Sequence, residues 1–129
     1  MKTISDKCEA IKFVLHPESE NQIELEDWLR QEAPSITQTE LQHIIKCIKS
    51  IVADIFEIHS AGHFGRAVIA NDFISAVLRA DEINVRYLRL YARFLVNYVA
   101  IGKLAQIFAL TDPLVTIIKS IISLPEKEI

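Results

Sequence analysis

Between Leu41 and Ile58, eight apolar residues recur three or four positions apart: Leu41, Ile44, Ile45, Ile48, Ile51, Val52, Ile55 and Ile58. A helix of 3.6 residues per turn lines such a series along one face, whereas a strand would scatter it over two. Thr37-Gln38-Thr39-Glu40 stands directly before it. This is a capping box, in which the Thr hydroxyl and the Glu carboxylate reciprocally satisfy amide donors that a helix start leaves open. The spacing predicts a helix from Thr37 to about Ser60, with Gly62 as a left-handed stop. Its many isoleucines lower intrinsic helix propensity, so packing against other elements must hold it.

The rest of the chain divides into similar segments. Thr3 to Leu15 is expected to be helical, with Cys8, Ile11 and Leu15 on one face and a stop before His16-Pro17. Glu18 to Glu32 carries six carboxylates against Arg30 alone, with Ile23, Trp28 and Leu29 as a narrow apolar stripe. Phe64 to Leu78 is apolar nearly all round, the pattern of a helix in the middle of a bundle. Asp81, a good N-cap, opens a fifth segment whose stripe is Ile83, Tyr87, Leu90, Tyr91, Phe94, Leu95 and Tyr98. Glu82 is placed to pair with Arg86 one turn on. Asp112-Pro113 starts a last helix, Leu114 to Leu124, although the β-branched run Val115 to Ile122 is where a strand could hide.

These segments predict an all-α bundle of five to six helices. Its 129 residues fit one domain, and three glycines and four prolines are too few for the many turns of a β-sandwich. Half the residues are apolar, which excludes a disordered chain. The formal net charge of −3 provides no global attraction to nucleic acid. Cys8 and Cys47 lie in unrelated segments and suit free thiols in a reducing cytoplasm. The first nine residues have no signal-peptide pattern, and Phe94 to Leu110, the most apolar stretch, is too short and interrupted to span a membrane.

Residues 62–73 read Gly62-His63-Phe64-Gly65-Arg66-Ala67-Val68-Ile69-Ala70-Asn71-Asp72-Phe73, followed by Ala76, Arg79-Ala80-Asp81 and Asn84. This resembles the G-S-F-L-x-A-V-L-x-N-D-L and R-A-D-x-x-N core of a family of small uncharacterised proteins of bacteriophages and prophages. The stretch Arg93 to Asn97 is similar to a later aromatic-rich segment of that family ending in Y-N. His63, Gly65 and Val96 depart from the pattern, and the tail 98–129 does not resemble the family. The resemblance covers the core 62–97. It implies a mobile-element origin and a compact helical core, and no established activity. On it, Gly62, Phe64, Asn71, Asp72, Asp81, Asn84 and Asn97 are the motif residues.

Each polar group has a structural reading beside a functional one. Asn71 and Asp72 interrupt an apolar segment and are expected to bond backbone groups at a neighbouring helix end. Asp81 and Asn84 are expected to cap the fifth segment. Arg79, Arg86 and Arg93 repeat every seven residues with Arg89 beside them. They form a solvated face paired with the acidic second helix, or an anion-facing stripe for nucleic acid. Tyr87, Tyr91 and Tyr98 share the apolar stripe and read as core, not as a base-stacking platform. His59 and His63 have the spacing of a helical metal pair, but Gly62 lies between them and no third ligand is evident. Cys47 and His43 are one turn apart on the third segment, where Cys reads as a small core residue. No nucleophile elbow, metalloprotease motif or phosphate-binding loop is present, so no enzyme, metal or cofactor is expected.

The expectation is therefore a non-enzymatic interaction protein of phage or prophage type that docks on a host or phage protein, with host defence as one target. Two charged surfaces are candidates: Glu20, Glu24 and Asp27 on the acidic helix, and Arg79, Arg86, Arg89 and Arg93. A surplus of apolar residues on the last helix (Leu114, Ile117, Ile118, Ile121, Ile122) predicts self-association. Nucleic-acid binding through the arginines is the alternative.

Overall fold

A computed structural model describes residues 2–16 and 20–99. The architecture is all-α. Among the described residues seven helices run in the order α1 (Lys7–Leu15), α2 (Glu20–Glu32), α3 (Gln38–Ile55), α4 (His63–Ile69), α5 (Phe73–Arg79), α6 (Glu82–Arg86) and α7 (Leu88–Tyr98). Among the described residues there is no strand; Ile4 and Val99 form an isolated parallel bridge, with the Ile4 amide donating to the Tyr98 carbonyl at 2.6 Å. The predicted last helix and the strand alternative at 115–122 lie outside the described residues.

Helix α3 is the centre of the bundle. Its stripe Leu41, Ile44, Ile45, Ile48, Ile51, Val52 and Ile55 is buried, and α1, α2, α4 and α6 all pack against it. The capping box is present in full, with both the Thr37 hydroxyl and the Glu40 carboxylate accepting backbone amides. The helix ends earlier than expected, at Ile55. Its stop is a Schellman motif: the Glu57 amide bonds the Asp54 carbonyl and the Ile58 amide the Ala53 carbonyl. Glu57, and not Gly62, takes the left-handed conformation (φ 59°). Gly62 is instead the extended N-cap residue of α4.

The long apolar fourth segment is two helices. The Asn71 amide bonds the Val68 carbonyl and the Asp72 amide the Ala67 carbonyl, a second Schellman motif with Asn71 left-handed (φ 56°). Asparagine tolerates this conformation better than most residues. Asp72 then N-caps α5 by accepting from the Ser75 amide at 3.1 Å. The Asn-Asp pair thus stops one helix and starts the next, with Asp72 bonding a backbone amide at a helix end as expected, here the start of α5. The fifth segment divides similarly at Tyr87. Two splits therefore raise the helix count above five to six.

The expected stripe of α1 shifts by one face. In α1 the core residues are Ala10 and Phe13, while Cys8 and Leu15 are exposed. In α2 Leu29 is buried and Trp28 packs against the core as expected, Leu25 joins them, and Ile23 is exposed. An aromatic cluster ties these helices to α7: the Phe94 ring stacks 6.1 Å from Phe13 and lies 6.3 Å from Trp28 and 5.6 Å from Tyr98.

Gly65 sets how closely α4 approaches α3. A Cβ there would stand 2.9 Å from Ala61 Cβ and 3.2 Å from Ile51 Cγ1. Overpacking of this kind costs about 1–3 kcal/mol, offset by about 1 kcal/mol of helix propensity gained over glycine. Gly65→Ala is expected to lower stability by about 1 kcal/mol in urea unfolding; a stabilised variant would show that α4 can move away freely.

Candidate interaction surface

Two of the four candidate arginines are engaged in internal ion pairs. Arg86 donates to Glu40 of α3, not to Glu82, and Arg93 donates to Glu32 of α2. The structural reading of the arginine face, pairing with the acidic helix, is therefore met at Arg93. Arg79 and Arg89 are exposed, at the end of α5 and on the second residue of α7. On α2, Glu20 opens the helix, Glu24 is half-buried and Asp27 is exposed. Burial raises the pKa of the half-buried Tyr98 phenol, and the nearby Glu24 and Glu32 raise it further.

Glu40 is a hub that local patterning does not reveal. Besides its cap, it accepts from Arg86 and, at 3.1 Å, from the Tyr87 hydroxyl. The Thr37 backbone amide is the main reason its carboxyl is held below the ordinary glutamate range; Tyr87 and Arg86 add to it against the opposing effect of burial. The Asp72 carboxyl is lowered by the Ser75 amide. A lowered folded pKa gives stability that is complete above the unfolded value and is lost as pH falls through the folded one. Acid should therefore weaken the fold progressively as pH falls below the ordinary carboxylate range. Glu40→Gln is expected to flatten that slope in urea titrations at several pH values; an unchanged slope would contradict the assignment.

Behind Glu40, a chain of polar groups crosses from α3 to α6 and α7. His43 Nε2 lies 2.7 Å from Asp81 Oδ2 and 3.9 Å from Cys47 Sγ. Asn84 Nδ2 donates to Cys47 Sγ at 3.6 Å, and the buried Tyr91 hydroxyl donates to Asn84 Oδ1 at 2.5 Å. Burial pushes the Tyr91 hydroxyl far above the ordinary tyrosine value, so it stays a neutral donor. The set contains a thiol, an imidazole and a carboxylate, yet both His43 contacts run through the same ring nitrogen. A nucleophile–base–orienter relay uses the two nitrogens separately, so this arrangement is a packing network.

The motif residues fall into structural places. Gly62 and Asp81 are N-cap residues, the latter accepting from the Asn84 amide at 2.8 Å. Asn84 does more than the expected capping, since its side chain is buried and joins α3 to α7. Phe64 packs edge-on to Tyr91, with ring centroids 5.2 Å apart, and Asn97 is exposed near the end of α7. His59 lies beyond α3, with Nδ1 2.8 Å from the Ser60 carbonyl oxygen, while His63 begins α4, so no single helix carries both. Among the described residues no group of three or more His, Cys, Asp or Glu side chains is placed to hold a metal. None of the described helices is long and apolar enough to cross a membrane.

The surface that patterning missed is apolar. A groove of about 230 Å³ lies between α4–α5 and α7. Ala67, Val68 and Ala76 line one side and Ala92, Leu95 and Val96 the other. At its edges Phe73 and Val96 are 71% and 68% exposed, and Ile74 and Leu78 continue the exposed face along α5. The all-round apolar segment was expected in the middle of the bundle; instead, its second half faces outward. The Asn71-Asp72 break was the available signal, since a helix restarted after a left-handed residue need not keep the first helix's buried face. No family model matches the chain, and comparison with curated proteins and with solved structures yields no significant match.

Proposed function

We propose that this chain is a non-enzymatic interaction protein of phage or prophage type, acting in the bacterial cytoplasm. It seats an apolar segment of a host or phage protein in the groove between α4, α5 and α7, and so modulates that partner, for instance a component of host defence. The observation that carries this reading is a largely apolar groove whose lining includes the exposed Phe73 and Val96, with Ile74 and Leu78 exposed elsewhere on α5. Side chains of this size left open to water on contiguous helices are characteristic of a protein-binding face. The resemblance of residues 62–97 to a phage family supplies the biological setting. The nucleic-acid alternative is weakened by the engagement of Arg86 and Arg93 with Glu40 and Glu32.

Capture from bacterial lysate tests the reading when wild type is run beside Phe73→Lys/Val96→Lys. A protein retained by wild type and lost from the variant is expected. Salt-sensitive binding to nonspecific DNA or RNA that this variant preserves would instead favour the nucleic-acid reading.

A further inference from the structure

A second cleft, of about 370 Å³, lies beside α4 and α5, and its lining is polar where that of the groove is apolar. His63 and Arg66 of α4 and Arg79 of α5 face into it. Three positions separate His63 from Arg66, so one turn of α4 presents both. In the sequence Arg79 repeats with Arg86 and Arg93, yet the fold parts them. Arg86 and Arg93 pair with Glu40 and Glu32, whereas Arg79 meets Arg66, a residue outside that repeat.

Two carboxylates share the lining, and both are committed to the backbone. Asp54 accepts from the Ala61 amide at 2.9 Å and Asp72 from the Ser75 amide at 3.1 Å. Among the described residues neither forms an ion pair with Arg66 or Arg79. Arg66 donates to the Ser60 hydroxyl at 3.0 Å, and the Arg79 guanidinium meets no acceptor among the described residues. A guanidinium carries five N–H donors in a planar fork, so the cleft holds more charged donors than its own acceptors satisfy. Asp72 lies seven residues before Arg79, about 10 Å along a helix, which sets the α5 carboxylate well away from the arginine.

We infer that this cleft binds a single phosphate group, carried by a small molecule, between Arg66 and Arg79. Phosphate oxygens accept the paired donors of a guanidinium fork, a geometry that arginine serves better than lysine. A nucleic-acid backbone presents a row of phosphates and calls for a row of cations. Here Arg86 and Arg93 are engaged and Arg89 lies outside the cleft lining, so two arginines on one cleft fit one phosphate. Phe73 and Val96 do not line this cleft, so the site is separate from the apolar groove.

Titration of the isotope-labelled full chain with inorganic phosphate, followed by amide chemical shifts at ionic strength held constant with sodium chloride, tests the inference. Saturable shifts within α4 and α5 are expected, with a Kd of about 1 mM. Glycerol phosphate is expected to bind at least as tightly. Arg66→Gln/Arg79→Gln should weaken binding about tenfold or more, with far-UV circular dichroism confirming that the variant folds. The single Arg79→Gln, at an exposed helix end, provides a second and milder loss. Arg89→Gln, equally exposed but outside the cleft, should change the Kd less than about twofold. Shifts that never saturate, or equal weakening by Arg89→Gln, would overturn the inference. A DNA duplex that binds more tightly than glycerol phosphate, with affinity lost at Arg79 and Arg89 alike, would overturn it in favour of nucleic acid.

Discussion

Phe94→Ala is expected to lower the unfolding free energy by about 3–5 kcal/mol, the range for truncating a fully buried phenylalanine. Phe94 is 1% exposed, and its ring meets Phe13 of α1, Trp28 of α2 and Tyr98 of its own helix. The deletion removes the transfer free energy of the ring and leaves a cavity that three different elements would have to move to fill. A domain of this size is stable by only about 5–15 kcal/mol, so the variant should unfold at markedly lower urea concentration with an unchanged m-value. Trp28 reports the transition directly, because its indole lies against the deleted ring. A loss of less than about 1 kcal/mol would mean that α1, α2 and α7 are not held together as described.

Asn84→Leu is expected to cost about 2–3 kcal/mol, and adding Tyr91→Phe should recover part of it. Asn84 is 3% exposed, and its amide accepts from the Tyr91 hydroxyl while donating to Cys47. Leucine has similar bulk but removes the Asn84 acceptor and leaves the buried Tyr91 hydroxyl only the weakly accepting Cys47 sulfur, a desolvation penalty of about 1–3 kcal/mol. Removing that hydroxyl as well leaves an apolar pair with nothing unsatisfied. The double variant should therefore be more stable than the single Asn84→Leu, a sign of coupling that packing loss alone does not produce. A double variant less stable than either single one would show that the network is not a unit.

The parts of the fold that were legible are those coded by short-range rules. The α3 stripe repeats over five turns behind a complete capping box, and Asp81 precedes its helix with a side chain suited to the cap. The boundaries that shifted depend on backbone conformations that side-chain patterning does not announce. Glu57 and Asn71 both adopt left-handed φ to close Schellman motifs, and only Asn71 is a residue type that hints at it. The stripe of α1 moved because several faces of a short, mixed helix are apolar enough, and tertiary contact selects one. Glu40 could not be recognised as a hub, because its partners Arg86 and Tyr87 are 46 and 47 residues away. The groove has the same origin: Phe73 and Val96 become its two edges only when α5 and α7 are placed side by side.

That placement relocates the candidate surface from charge to apolar area. Two of the four arginines are engaged with carboxylates in part-buried pairs. Large apolar side chains seated in a groove contribute more to binding, and a few of them usually dominate.

The central claim is that this face, and not the arginine stripe, recognises the partner. Its most direct test is titration of the captured partner with wild type, with Phe73→Lys/Val96→Lys and with Arg79→Glu/Arg89→Glu. The account predicts a Kd raised about 100-fold by the groove changes and less than about threefold by the arginine changes. The reverse order, with affinity lost at the arginines and kept at Phe73 and Val96, would contradict it.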